Sequence, residues 1–146
     1  MTDDHFDEIC LGSDIVEIKR FRDLDSESPF YRRVFTANEL QYCNRYPDSA
    51  PHLATTFAGK EAVVKATSSI CNLSIDSIEI LRRVDGSPYV VVHKDCSLHI
   101  SISLSYSSTH AVAVALSLPK SISDQKRIQG LLDEKIQQIL PSGEMS

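Results

Sequence analysis

An α+β fold, with one helical layer on a mainly antiparallel sheet, is what this 146-residue chain predicts. Three observations carry that reading. The second half holds four β-rich runs, the last two alternating apolar and polar residues with a period of two. Turn residues separate the runs in pairs, as in hairpins. Between the first strand-like run and these hairpins lies a stretch of small and apolar residues, 51–68, with the length and pattern of a buried helix.

The elements follow in order. ICLGSDIVEI (9–18) reads as a strand rich in β-branched residues, and Gly12 inside it marks a bulge or a close backbone approach. Residues 18–24 suit a short helix or turn, and SESPF (26–30) a loop. A helix starts within Phe35-Thr36-Ala37-Asn38-Glu39-Leu40. Thr36 is its N-cap, Glu39 stands three residues on as in a capping box, and Tyr46-Pro47 ends it. The helix over 51–68 carries Leu53, Phe57 and Val64 among small residues. IDSIEILRRV (75–84) and PYVVVH (88–93) form a hairpin through Asp85-Gly86. LHISISLSYS (98–107) and HAVAVALSL (110–118) form another through Ser107-Ser108-Thr109. Pro119 closes the strands. Beyond it Ile128, Leu131, Leu132, Ile136, Ile139 and Leu140 recur at helical spacing, with Ser123 as a start cap. The chain is therefore divided into a domain of 1–118 and a helical extension of 119–146.

Composition narrows the function. With 42% hydrophobic residues, the chain can bury a core. A net charge of −5 argues against whole-protein attraction to nucleic acid. The acidic start MTDDHFDE lacks the features of a signal peptide, and no run is long and apolar enough for a membrane. Cys10, Cys43, Cys71 and Cys96 form no C-x-x-C pair, so free thiols in a reducing cytoplasm are expected, and the histidines show no zinc-ligand spacing.

The chemistry centres on FAGKEAVVKA (57–66), where Lys60, Glu61 and Lys65 interrupt an apolar run. Glu61 and Lys65 share a helix face, and taken alone they are an exposed ion pair worth about 0.3–0.5 kcal/mol. Asp14 changes that reading. A carboxylate in a strand-like apolar run needs a cation or hydrogen bonds to compensate it. Asp14 and Glu61, with water completing the shell, suit Mg²⁺, which is commonly held by one or two carboxylates plus substrate phosphates. Lys60 and Lys65 would then meet phosphate charge. Metal, lysine and acid/base carboxylate are the parts of a phosphate-ester transfer site.

At these residues the chain resembles the holo-acyl-carrier-protein synthases, the small 4′-phosphopantetheinyl transferases. GSDIVEIKRF (12–21) is similar to their opening G-x-D-I-V-E-I-x-R-[FI], RVFTANELQYC (33–43) to R-I-L-T-x-x-E-L, and FAGKEAVVKA to F-A-x-K-E-A-x-x-K-A. DGSPYVVV (85–92) resembles their N-G-K-P-Y pair, and SISLSYSSTHAVAVAL (101–116) resembles S-I-S-H-T-x-x-Y-A-V-A. The resemblance implies the transferase fold and a reaction. The serine hydroxyl of an apo-acyl carrier protein attacks the β-phosphate of coenzyme A, and 3′,5′-ADP leaves. Asp14 and Glu61 match the metal-binding acids, and Glu61 the base. Lys65 matches the lysine that neutralises the transferring phosphoryl group, and Lys60 the lysine of the K-E pair. Ser68, Ser69, Pro88 and Tyr106 fall on coenzyme-facing positions. Arg20, Phe30 and Arg33 fall on the carrier-docking patch, which suits an acidic partner. A cytoplasmic homotrimer with the site at the protomer boundary is implied as well.

The departures are as specific as the matches. Thr56 stands where the family has an arginine, and Ser87 where it has the lysine of G-K-P. KATSSICNL replaces a Gly-rich phosphate loop, Tyr106 replaces the histidine of S-H-T, and His110 the tyrosine four residues later. Fewer cations and no glycine loop imply a weakened grip on coenzyme A with the chemistry retained. The alternative is a homologue that binds carrier or synthase proteins without turnover, and a third is a structural subunit of a larger synthase.

Overall fold

Helix α4 (Ala50–Thr67) is the axis of the molecule: thirteen of its eighteen residues are buried, so protein surrounds it on nearly every side. The computed structural model describes residues 9–120, 130, 133, 134 and 136–138. Before α4 come strand β1 (Cys10–Glu17) and three short helices, α1 (Lys19–Asp23), α2 (Phe30–Val34) and α3 (Ala37–Cys43). After it, a 3₁₀ turn at Ile75–Ser77 leads into β2 (Ile78–Arg82), β3 (Pro88–Val92), β4 (Leu98–Tyr106) and β5 (His110–Pro119). Every strand pairing is antiparallel, in a three-stranded sheet of order β1-β5-β4 and a two-stranded sheet β2-β3.

Small residues set the distance between sheet and helix. Gly12, Asp14 and Val16 alternate along β1 and pair with Ala115, Ala113 and Ala111 of β5. The three alanines are buried, and α4 lies against this surface. At Gly12 a Cβ atom would overlap the Ala62 carbonyl oxygen and the Ala66 amide nitrogen, so only glycine admits this approach. The Ser117 hydroxyl donates to the Ala66 carbonyl at 2.7 Å and ties β5 to the same turn of α4. The opposite face of β1 carries Leu11 and Ile15, 65% and 64% exposed, beside the exposed Val112 of β5. An aromatic group, Phe21, Phe30, Phe35 and Phe57, fills the space between α1, α2 and α4 with ring centroids 5.7–6.4 Å apart.

The expected elements recur with shifted ends. The pairing of β1 with β5 is continuous, so Gly12 marks a close approach and no bulge. Helix α2 overlaps the expected loop of 26–30 only at Phe30; Pro29 precedes it, and its five residues are too few for a periodic signal. Strand β2 begins three residues late because Ile75–Ser77 forms the 3₁₀ turn. The Asp85-Gly86 turn holds, with Gly86 at φ 89°, a left-handed conformation that favours glycine. The Thr36 capping box is present in full.

The expectation of four free thiols fails. Cys71, in the turn after α4, and Cys96, between β3 and β4, form a disulfide with their Cα atoms 6.0 Å apart, while Cys10 and Cys43 are free. Twenty-five residues separate the pair, and only the return of the chain from α4 to the β2-β3 hairpin brings them together. In the extension, Ile136 is helical and half-buried. Ser123, Ile128, Leu131, Leu132, Ile139 and Leu140 lie outside the described residues.

Candidate active site

Asp14 points from the helix-facing side of β1 toward α4, and the Lys65 ammonium donates to its carboxylate at 3.0 Å. The same ammonium donates to the Ser13 carbonyl at 3.0 Å, so two successive residues of β1 hold it. Glu61 lies one helical turn before Lys65 on the same face. Asp14 and Glu61 border one open cavity of about 370 Å³, together with Glu17, Arg20 and Phe57. Strand and helix thus bring both acids to one space, with Lys65 and Arg20 as flanking cations.

These residues fit a hard divalent cation. Carboxylate oxygens are the ligands Mg²⁺ prefers, and two of them suffice when water and phosphate supply the rest. Among the described residues no three His, Cys, Asp or Glu side chains converge, so a cation here would rest on the two acids. The mixed charge of the cavity also suits a diphosphate, whose negative charge needs both metal and lysine.

Lys60 is elsewhere, and its assignment to phosphate binding is corrected. Its side chain is 0% exposed and donates to the equally enclosed Glu39 carboxylate at 2.7 Å and to the Val34 carbonyl at 2.5 Å. Glu39 also accepts from the Thr36 amide and, through its second oxygen, from the Ile80 amide, both at 2.8 Å. This pair joins α2, α3, α4 and β2. A buried ammonium satisfied in this way has no path to a ligand.

The remaining positions divide between two ends of α4. Ser68 and Ser69 follow its C-terminus and are exposed; the Ser68 hydroxyl donates to the Lys65 carbonyl at 3.3 Å, and Ser69 meets Cys10 at 3.8 Å. Tyr106 lies at the other end, its ring 5.7 Å from that of His52. Thirteen residues separate His52 from Lys65, roughly 20 Å along the helix. Pro88 lines a separate groove of about 840 Å³ between β3 and β4, beside Ser87 and Lys94. Within this single chain, therefore, Pro88 and Tyr106 do not join Asp14, Glu61 and Lys65. Of the residues expected to dock a carrier, Arg20 lies over the Phe57 ring at 4.9 Å and the Phe30 ring at 5.4 Å, next to the acids. Phe30 is half-buried in the aromatic group, and Arg33 is exposed on α2.

Sequence reasoning did not assign a second cluster. Tyr46 stacks on His52 with centroids 3.6 Å apart, Tyr42 meets both edge-on, and Arg82 covers the Tyr42 ring at 4.8 Å. Burial, aided by the Arg82 charge, holds the His52 imidazolium below its ordinary range. Burial likewise pushes the Cys43 thiol up to about 11, against a Thr56 hydrogen bond and the Arg82 charge. The four rings come from α3, the turn after it, α4 and β4, and no sequence period links them.

An antiparallel α+β frame with paired acids and a lysine at a strand–helix junction suits phosphoryl-group transfer, and similarity to known proteins gives the class. Residues 10–115 match the family model of the 4′-phosphopantetheinyl transferase superfamily, to which the chain belongs. Within that superfamily its relatives include holo-[acyl-carrier-protein] synthases. That of Chlorobaculum parvum is 42% identical over 114 residues, covering 75% of this chain and 97% of the relative. That of Dehalococcoides mccartyi is 38% identical over 118 residues, covering 74% and 97%. Among solved structures, the acyl carrier protein synthase of Mycobacterium tuberculosis aligns at a TM-score of 0.59 and 28% identity, over 75% of this chain and 96% of that one. A Chronobacterium ammoniagenes ACPS–CoA complex aligns at 0.66 and 22%, over 77% and 98%, and supports the fold.

Proposed function

We propose that this chain transfers the 4′-phosphopantetheine group of coenzyme A to a serine of an apo-acyl carrier protein, with Asp14, Glu61 and Lys65 as the centre of the reaction. The observation that carries the reading is the single cavity bordered by Asp14 and Glu61, with the Lys65 ammonium 3.0 Å from Asp14. Asp14 and Glu61 would hold Mg²⁺, which when bound would polarise the phosphate oxygens and neutralise their charge. Glu61 accepts the proton of the carrier serine. The serine oxygen forms a bond to the β-phosphorus, and the bond from that phosphorus to the bridging oxygen breaks, releasing 3′,5′-ADP. Lys65 neutralises the charge that gathers on the phosphoryl oxygens. Ser68 and Ser69, exposed just beyond Lys65, offer hydroxyls to the diphosphate.

Arg20 borders the same cavity, so a carrier docked on Arg20, Phe30 and Arg33 would bring its serine to Glu61. The separation of Tyr106 and Pro88 from that cavity supports a site shared by protomers of a homotrimer. The exposed Leu11, Ile15 and Val112 supply an apolar sheet face for such an assembly. The transferase domain would end at residue 118, with 119–146 as an extension; the family match ends at residue 115. No helix among the described residues is long and apolar enough to cross a membrane. The cytoplasm is the location that fits a substrate pair of coenzyme A and carrier protein, while a disulfide such as Cys71–Cys96 is rare in that reducing compartment.

The test is direct. Protein, coenzyme A, Mg²⁺ and an apo-carrier are incubated, and the carrier is weighed by mass spectrometry. A gain of one phosphopantetheine is expected, abolished by EDTA and by Asp14→Ala. An unmodified carrier at saturating coenzyme A, with several carriers tried, overturns the enzyme reading; retained carrier binding would then make it a binding module.

A further inference from the structure

We infer that Arg82 supplies a cation for the 3′-phosphate of coenzyme A, and that the rings of Tyr42, Tyr46, His52 and Tyr106 form the surface beside it. The inference rests on the proposed transferase function and goes beyond it by naming a binding residue.

Position 56 cannot do this work itself. Thr56 is buried, a hydroxyl replaces a guanidinium, and its side chain contacts the Cys43 sulfur at 3.7 Å. Arg82, from the end of β2, reaches the same place by another route. Its guanidinium lies 4.8 Å from the Tyr42 ring, one residue before Cys43, and its charge acts on Cys43, Tyr46 and His52. A cation absent from α4 is thus present beside it, delivered from the sheet.

The state of that guanidinium points to a ligand. Its Nη1 atom is buried and has no hydrogen-bond partner, the one such side-chain nitrogen or oxygen among the described residues. Enclosed donors are nearly always satisfied, and an unsatisfied one asks for an explanation. A guanidinium left short of acceptors has the fork geometry for a phosphate monoester. The neighbouring surface suits the rest of a nucleotide. Tyr46 and Tyr106 are exposed, and His52, whose charged form is disfavoured there, stacks flat on Tyr46. Planar rings of this kind offer a face to a purine base.

Arg82 also belongs to the face of the protomer that carries Tyr106, away from Asp14 and Glu61. In a site shared by two protomers, one face holds the reacting diphosphate and the other the adenosine 3′-phosphate end.

Isothermal titration of coenzyme A and of 3′-dephospho-coenzyme A separates the roles. Wild type should bind coenzyme A more tightly than the dephospho form. Arg82→Met, which keeps the packing on Tyr42, should weaken coenzyme A binding about tenfold to a hundredfold. It should leave dephospho-coenzyme A binding unchanged, so that the two ligands become equivalent. Arg82→Lys should fall between, since it keeps charge and loses the fork. Because Nη1 makes no hydrogen bond in the free protein, neither variant should lower the melting temperature, which calorimetry checks. Wild type that binds coenzyme A, with Arg82→Met losing nothing or losing equally for both ligands, overturns this inference and leaves the transferase reading intact. Wild type that binds neither ligand overturns both.

Discussion

Lys60 and Lys65 stand five residues apart on one helix, each beside a carboxylate, and they do opposite things. Lys60 is sealed between α2, α3 and α4, where its ammonium donates to the Glu39 carboxylate and the Val34 carbonyl. Lys65 is about half exposed, shares Asp14 with an open cavity, and keeps an ammonium that solvent or substrate can reach. The residue types are the same. The difference is access. A buried pair is a joint, and breaking one side leaves an uncompensated charge. An open pair is weak as a joint and can exchange its partner for a ligand.

The sharpest way to break this comparison is at Glu61. Glu61→Gln should reduce kcat about 10²- to 10⁴-fold, the usual worth of a general base. Its stability should move by less than about 0.5 kcal/mol, because the group faces a cavity. A wild-type rate would remove Glu61 from the chemistry. Lys60→Met should behave in the reverse manner. It strands Glu39 and should cost about 3–5 kcal/mol of stability, a drop of roughly 10 °C in Tm for a chain of this size. Folded Lys60→Met, measured well below its Tm, should retain most of its kcat; a selective loss of turnover with unchanged Tm would return Lys60 to the substrate site.

Two smaller effects sharpen the contrast. Reduction of Cys71–Cys96, or the double change Cys71→Ser and Cys96→Ser, should remove about 3 kcal/mol, the chain-entropy value for a loop of this length. Thermal melts with and without reductant check it, and identical melts would mean that the bond contributes nothing. Arg20→Glu should weaken carrier binding about tenfold at low salt and less at high salt, since exposed attraction is screened. Coenzyme A affinity should stay nearly constant. Equal losses for both ligands would move Arg20 from the docking surface into the nucleotide site.

Much of this was legible before any coordinates. Alternation in β4 and β5, the Asp85-Gly86 turn and the Thr36–Glu39 box report local preferences, and local preferences survive folding. That Asp14 and Glu61 would meet at one place was legible, because a carboxylate in an apolar run demands an explanation, and both border one cavity. Lys60 misled for a physical reason: α4 is apolar or small on almost all sides, so its sequence does not say which side is sealed. Glu39 was identified as a cap, and it is one, but its second task depends on a lysine twenty-one residues away. The disulfide was hidden because connectivity between distant cysteines cannot be deduced from spacing. The Arg82 cluster was hidden for the same reason, since α3, the turn after it, α4 and β4 supply its rings.

Gly12 has a consequence that concerns distance and leaves charge untouched. Two residues before Asp14, it lets β1 rest directly on the backbone of α4, and the obstacles a side chain would meet there are main-chain atoms that cannot rotate away. It works as a shim of zero thickness. Anything inserted lifts the strand, and the lift is passed to the separation between Asp14 and Glu61. Because an added Cβ would stand 2.2 Å from the Ala62 oxygen and 2.6 Å from the Ala66 nitrogen, Gly12→Ala alone must push strand and helix apart. It would widen the gap between the two carboxylates without changing either charge.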